Sequence, residues 1–269
     1  MAVADVSQVA LADLISLKGR TAVVTGGAQG LGKAMARRLA EAGASVLIGD
    51  LKVGPAEAAA AELADRYHGK VIAARLDVTD TASIIAAADL AGKNLGGLDI
   101  WVNNAGLYPN IPLLEMTDEA WDRVMAVNLR GMFAGCREAA RRMIAAGRGG
   151  VLINVASTAG FAGIAPGISA YAASKHGVRG LVRQLAIELA PHDIRVLGVA
   201  PTYCETEGNA AALAELPDRV RSEIAATLNS RLGRVGVPDD IARAVLFAAS
   251  DMAMFMTGST LLADAGEIA

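Results

Sequence analysis

Three side chains in the stretch ending at Lys175 have the types and spacing to move a proton: Ser157, Tyr171 and Lys175. With Ser169 opening a helix that runs to Ala190, Tyr171 and Lys175 stand at i and i+4 on one face, their Cβ atoms roughly 5–6 Å apart. A free phenol ionises near pH ~10, and a neighbouring ammonium favours the phenolate and draws that value down. A tyrosine tuned in this way can give a proton to a carbonyl oxygen, or take one from an alcohol, near neutral pH. The Ser157 hydroxyl can hold the same substrate oxygen by hydrogen bonding. Taken alone, the Tyr-x-x-x-Lys spacing is weak, because a packing tyrosine and a solvated helix lysine produce it equally well. Its weight comes from the elements around it.

Ser157 ends an apolar run, Val151-Leu152-Ile153-Asn154-Val155, framed by Gly149-Gly150, which reads as a buried parallel strand with a polar residue at its carboxyl end. The same pattern repeats along the chain. Strands are expected over 21–25, 45–49, 71–76, 98–102, 151–155, 194–199 and 260–263, with helices over 33–42, 55–67, from about 80 to 95, 118–146, 169–190 and 239–249. Strand and helix alternating without a linker predict an α/β, doubly wound, Rossmann-type single domain. Its sheet is mostly parallel with about seven strands, and helices cover both faces. The expected domain spans 17–269, preceded by an extension over 1–16. The polar, Ala-rich segment around 202–236 reads as a mobile substrate lid.

The turn after the first strand, Gly26-Gly27-Ala28-Gln29-Gly30-Leu31-Gly32, leads straight into a helix. A glycine turn there brings backbone N–H groups close to a pyrophosphate, and the helix dipole favours the negative charge. Asp50 ends the second strand, where an acid can accept hydrogen bonds from the ribose diol of an adenosine. Glycines alone also make tight turns with no ligand; strand, turn, helix, strand and acid in that order argue for dinucleotide binding. The Asp50 carboxylate repels a 2′-phosphate and Gln29 supplies no cation, so NAD is favoured over NADP, with Lys52 as the nearest basic residue. Asp77, followed by Val78, ends the third strand and can accept from an adenine amino group, or else cap a helix as Thr79 or Asp80 could. Asn103-Asn104-Ala105-Gly106 ends the fourth strand, on the edge where such sheets bind ligands. Asn128, with Gly131 close behind, is poor helix material, which predicts a kink or a task for the side chain.

Composition narrows the partners. The chain has 269 residues, 53% hydrophobic and 20% charged, with a formal net charge of −3. Its Lys and Arg are scattered, so nothing attracts nucleic acid or anionic lipid. Cys136 and Cys204 are far apart and belong to no Cys/His cluster, which predicts free thiols, a reducing compartment and no metal. Asp5 and Asp13 interrupt the N-terminal stretch, and no run approaches the ~18 apolar residues of a membrane span. The expected location is cytoplasmic.

With these residues in place, the chain from Leu17 onward resembles the single-domain short-chain dehydrogenases/reductases. Thr25-Gly26-x-x-x-Gly30-x-Gly32 is similar to that family's cofactor turn, and Asn103-Asn104-Ala105-Gly106 to its stabilising turn. Asn128, Ser157, Tyr171 and Lys175 fall where the family keeps a catalytic tetrad. The resemblance implies Tyr171 as general acid/base and Ser157 orienting the substrate oxygen. It implies Lys175 binding the nicotinamide ribose and lowering the tyrosine pKa, and Asn128 holding a water that relays the proton. It also implies direct hydride transfer without a metal, and a homotetramer. Two departures stand out: Pro201-Thr202 where Pro-Gly is usual, and Asp264-Ala265-Gly266 near the end. Thr206 still matches the cofactor-binding threonine. The expected cofactor surface comprises Gly26, Gln29, Gly30, Leu31, Gly32, Asp50, Leu51, Asp77, Val78, Asn104, Ala105, Gly106, Pro201 and Thr206, with Tyr171 and Lys175.

Substrate choice falls to the loops after strands four, five and six. Tyr108, Phe161, Ile164, Thr202 and Tyr203 are the expected lining beside Ser157 and Tyr171, and no Arg or Lys lies over 107–111, 158–164 or 202–207 to pair with an anionic substrate. That predicts a neutral secondary alcohol and its ketone, cyclic or aromatic. A 3-oxoacyl thioester reductase is the alternative, one that Asp50 argues against; a polyol or sugar dehydrogenase is a third.

Overall fold

The computed structural model describes residues 4–208 and 230–269. Seven strands form one parallel sheet in the order β3-β2-β1-β4-β5-β6-β7: β1 Thr21–Thr25, β2 Ser45–Asp50, β3 Val71–Arg75, β4 Ile100–Asn103, β5 Gly150–Val155, β6 Ile194–Pro201 and β7 Thr260–Ala263. A short exposed helix, α1 Leu11–Leu14, precedes the sheet. The connecting helices are α2 Gly30–Glu41, α3 Val53–Arg66, α4 Thr81–Leu95, α5 Asp118–Met125, α6 Met132–Ala146, α7 Ser169–Leu189 and α8 Pro238–Ala249.

Successive strand side chains point to opposite faces, and here both faces are covered. Ala22 and Val24 of β1 join one core with Met35 and Leu39 of α2, Leu63 of α3 and Val245 of α8. Val23 joins the other core with Ile84 of α4, Met143 of α6 and Val182 of α7. This two-sided burial explains why the strand sequences are apolar runs rather than alternating ones. Truncating a central residue such as Ile153, which is fully buried, would cost about 2–5 kcal/mol.

The chain order reverses between β1 and β4, so a crevice opens outside their carboxyl ends, where ligands of such sheets bind. The glycine turn after β1 and the Asn/Gly turn after β4 flank it.

Several boundaries differ from those expected. Helix α2 begins at Gly30 rather than Lys33, so Gly30, Leu31 and Gly32 belong to its first turn, whose N–H groups have no intrahelical acceptor. Gly43, with φ +101°, follows the helix end as expected. Strand β4 starts at Ile100, two residues late, because the Asp99 carboxylate takes the Thr21 N–H at 2.7 Å. The expected helix over 118–146 is interrupted by a π-helical turn at Ala126–Gly131. Most of the expected lid, residues 209–229, lies outside the described residues. Its two flanks are tied together where the Glu205 N–H donates to the Gly236 carbonyl at 2.9 Å.

Candidate active site

Gly26 and Gly32 of the turn leave no room for a side chain. A Cβ on Gly32 would lie 2.1 Å from the Gly26 carbonyl oxygen, and Gly26, at φ +64°, would place one 3.0 Å from the Ala105 backbone. The turns after β1 and β4 are laced together. Asn104 Nδ2 donates to the carbonyls of Thr25 and Gly26 at 2.9 and 3.0 Å, while Thr25 Oγ1 accepts from the N–H groups of Asn104 and Ala105, each at 3.0 Å. Asp50 Oδ2 accepts from the Ala28 N–H at 3.1 Å and Oδ1 from the Lys52 N–H at 3.0 Å, so the acid at the tip of β2 also braces the turn. The Gly30 N–H donates to the Glu207 carboxylate at 3.2 Å. The turn thus already holds an anionic oxygen, and its N–H groups fit a dinucleotide pyrophosphate. Leu31 is partly buried against the core and Leu51 is exposed. Thr206 lies over the turn, its methyl 3.3 Å from where a Gly30 Cβ would be, and Pro201 is buried at the end of β6.

At the tip of β3, Asp77 Oδ1 accepts from the Thr79 N–H and hydroxyl at 3.0 and 2.6 Å, which holds its carboxyl below the usual range. The cap of α4 is Asp80, accepting from the Ala82 N–H. Val78 packs against Gly131, leaving no room for a side chain there.

The π turn puts Asn128 to work. The extra residue turns its side chain inward, fully buried. Oδ1 accepts from the Leu107 N–H at 2.7 Å, and Nδ2 donates to the Leu107 carbonyl at 2.7 Å and to Ser174 Oγ at 3.2 Å. Asn128 therefore fixes the loop after β4 to α7. Across Gly106, whose missing Cβ would lie 3.4 Å from Asn128 Oδ1 and 3.9 Å from Lys175 Nζ, it faces the lysine.

Ser157 is buried at the end of β5, and its hydroxyl caps the short turn Thr158–Gly160 by accepting from the Ala159 N–H at 3.2 Å. Tyr171 and Lys175 stand on α7 as the i, i+4 spacing requires, with Nζ 5.6 Å from the Tyr171 ring centroid. The tuning differs from expectation. Burial pushes the Tyr171 phenol above its ordinary value, a hydrogen bond with Ser157 pulls the other way, and Tyr108 adds to the rise. Lys175 supplies no counterweight here because its ammonium donates to the Val155 carbonyl at 2.6 Å and is itself lowered by burial to about 8. The pair is brought together as expected, but the protein alone does not make the phenol acidic.

Of the expected substrate lining, Tyr108 is exposed and meets Tyr171 edge-on, centroids 6.3 Å apart. Ile164 is exposed, and Thr202 and Tyr203 are half-buried. Burial, then the nearby Glu205, Tyr108 and Cys204, raises the Tyr203 phenol, so two tyrosines flank the Tyr171 side of the crevice. Phe161 is different: its ring lies under the Arg179 guanidinium and packs on the core. The two loops are joined where the Ile111 N–H donates to the Gly167 carbonyl at 2.7 Å. Sequence reasoning missed Ser174, Glu207 and the bracing role of Asp50. One buried serine on a helix and one glutamate beside a lid carry no signal until the elements are brought together. Among the described residues no group of three His, Cys, Asp or Glu could hold a metal, and no helix is long and apolar enough to cross a membrane.

The family model described as short chain dehydrogenase matches residues 20–216. A cis-4-hydroxycyclohexanecarboxylate dehydrogenase of Sinomonas cyclohexanicum is 43% identical over 92% of this chain and 96% of its own length. A 3beta-hydroxysteroid dehydrogenase 2 of Eggerthella lenta is 39% identical over 93% and 95%. The crystal structure of a dehydrogenase/reductase from Sinorhizobium meliloti 1021 superposes with a TM-score of 0.87 at 37% identity, covering 96% of this chain and 99% of that one.

Proposed function

We propose that this chain, which belongs to the short-chain dehydrogenase family and is an NAD(P)-dependent oxidoreductase of CH–OH groups, oxidises a neutral cyclic or aromatic secondary alcohol with NAD. The observation that carries the reading is the convergence of Ser157, Tyr171, Lys175 and Asn128 on the crevice beside the glycine turn. Ser157 Oγ holds the alcohol oxygen and Tyr171 Oη takes its proton. Lys175 Nζ has donors to spare beyond Val155 and binds the cofactor ribose. The second lone pair of Asn128 Oδ1 holds a water that carries the proton away from Lys175. When bound, oxidised nicotinamide supplies the hydride acceptor and a positive charge, which favours the phenolate that burial alone opposes. In the reductive direction the raised phenol starts in the protonated form that donation requires.

Gly26, Gln29, Gly30, Leu31 and Gly32 hold the pyrophosphate, with Asp50 and Leu51 at the adenosine ribose and Asp77 and Val78 at the adenine. Asn104, Ala105, Gly106, Pro201 and Thr206 complete the cofactor surface. Asp50 supports NAD over NADP, since its carboxylate opposes a 2′-phosphate. Two relatives bear the names of ring-borne secondary alcohols, which supports a cyclic substrate. The absence of Arg and Lys from the lining stretches 107–111, 158–164 and 202–207 supports a neutral one.

The reading extends to a cytoplasmic homotetramer, and the surface supports the assembly. One apolar groove is lined by Met125, Leu129, Phe133 and Leu181, and Ile187, Phe255 and Leu262 are exposed elsewhere. Light scattering on the purified protein at a mass four times that of the chain is the expected result.

The test is initial rates with NAD and NADP against cyclic, aromatic and aliphatic secondary alcohols, polyols and 3-oxoacyl thioesters. Oxidation of a ring alcohol with NAD is expected. NADPH-dependent reduction of a thioester would overturn both the cofactor and the substrate assignments.

A further inference from the structure

Tyr171, Lys175 and Arg179 form one stripe on α7, each four residues from the next, and the last of them has no part in the chemistry above. Its surroundings are unusual for a cation. Among the described residues Arg179 has no acidic partner, and burial and the like charge of Arg183 both disfavour its charged form. Instead its Nη1 donates to the Gly160 carbonyl at 2.6 Å, and its guanidinium carbon lies 3.4 Å from the centroid of the Phe161 ring. A planar guanidinium can stack on a ring and donate in its own plane at once, which an ammonium cannot.

The contact falls on the turn that carries Ser157. That turn closes on itself, the Gly160 N–H donating to the Ser157 carbonyl at 2.9 Å and the Phe161 N–H to the Thr158 carbonyl at 2.8 Å. It lies directly against α7: a Cβ on Gly160 would be 2.7 Å from the Lys175 carbonyl oxygen. Lys175 grips the chain before Ser157, at the Val155 carbonyl, and Arg179 grips it after, at Gly160.

We propose that Arg179 is a positioning residue, a clamp on Gly160 and Phe161 that holds the Ser157 hydroxyl in register with Tyr171. Ser157 then sits between two carbonyls, each held by a cation one helical turn apart on the helix that bears the acid/base. The clamp works through Ser157 and touches neither substrate nor cofactor. It reassigns Phe161 from a pocket wall to the platform of the clamp. The inference rests on Ser157 holding the substrate oxygen, as proposed above.

The experiment is a double-mutant cycle read with NAD and cyclohexanol, together with amide hydrogen exchange of the peptide over 157–163. Arg179→Met lowers kcat about tenfold, leaves KM for NAD within about twofold and speeds exchange across 158–162. Arg179→Lys, which keeps a donor and loses the stack, falls between it and wild type. In a Ser157→Ala background, Arg179→Met lowers kcat by less than about twofold further, because its effect passes through Ser157. Equal fold losses in the two backgrounds, or unchanged exchange in Arg179→Met, would overturn the clamp. Should Arg179→Met fail to fold, Phe161→Leu removes the platform, keeps the carbonyl bond and is read by the same criteria. A wild type inactive on cyclohexanol, or a Ser157→Ala variant with undiminished kcat, counts against the reading of the site; exchange then decides the clamp alone.

Discussion

Lys175 and Arg195 are both buried cations, one on α7 and one on β6, and the protein treats them in opposite ways. Arg195 is held by three carbonyls: Nη1 donates to those of Ala248 and Ala253 at 2.9 and 3.1 Å, and Nη2 to that of Ser250 at 3.3 Å. It closes the C-terminal end of α8, where carbonyls have no intrahelical donor and the helix dipole is negative. Lys175 has one carbonyl, that of Val155, for three ammonium protons. Burial alone lowers it to about 8, whereas the lowering of Arg195, to about 10, is partly opposed by Asp251. A buried charge held by several carbonyls at a helix end is structure. One with donors to spare carries a cost in stability, which fits the cofactor-binding role proposed for Lys175.

The widest gap between the two should come from removing Lys175. Lys175→Met is expected to lower kcat by roughly 10²–10⁴ while moving the melting temperature little, since the lost carbonyl contact is offset by relief of the buried charge. A collapse of stability in step with activity would break the comparison. Arg195→Met should do the reverse, costing roughly 3–5 kcal/mol and lowering the melting temperature by about 6–15 °C. Its kcat per folded molecule should stay within about twofold. Calorimetry beside active-site titration separates these outcomes.

A smaller effect sharpens the contrast through pH. The folded Lys175 titrates near 8 and its unfolded counterpart near 10.5, so between those values the unfolded chain binds more protons and stability rises with pH. Below about pH 8 the burial cost is present in full. Wild type should therefore gain on the order of 2 kcal/mol relative to Lys175→Met as pH climbs through that window; denaturant melts of both at several pH values measure it. Smallest of all should be Arg20→Ala. Arg20 serves the same helix end as Arg195, donating to the Ala249 carbonyl at 3.3 Å and pairing with Asp251 at 2.5 Å, yet it is partly exposed. A loss under about 1 kcal/mol is expected, and one as large as that of Arg195→Met would show that burial is not what separates them.

Much of this architecture was legible in the chain. Apolar runs such as Val151–Val155, bounded by glycine and followed by helical patterns, mark strands buried on both faces, and the alternation of elements implies the doubly wound sheet. The clash of Asn128 with helix propensity was also legible, and the π turn at Ala126–Gly131 is its structural form. Less was legible where two answers are locally equivalent. Helix α2 could begin at Gly30 or Lys33, since glycine is permitted in either a turn or a helix start, and the contacts of Gly26 and Gly32 with the Asn104 region decide it. Phe161 was legible as an apolar residue in a substrate loop, but nothing in its neighbours announces a guanidinium eighteen residues away.

By itself the sequence determined the order and type of elements, the glycine turn with its acid at Asp50, and the set of Asn128, Ser157, Tyr171 and Lys175. Those are properties of spacing and residue chemistry, which local periodicity transmits. Only the tertiary structure decided how each polar group is satisfied. It engaged the Lys175 ammonium with Val155, let burial raise the Tyr171 phenol, set the Glu207 carboxylate against Gly30 and laid Arg179 across the Ser157 turn. Desolvation and hydrogen-bond partnership depend on what arrives from distant parts of the chain, and spacing along one helix does not carry that information.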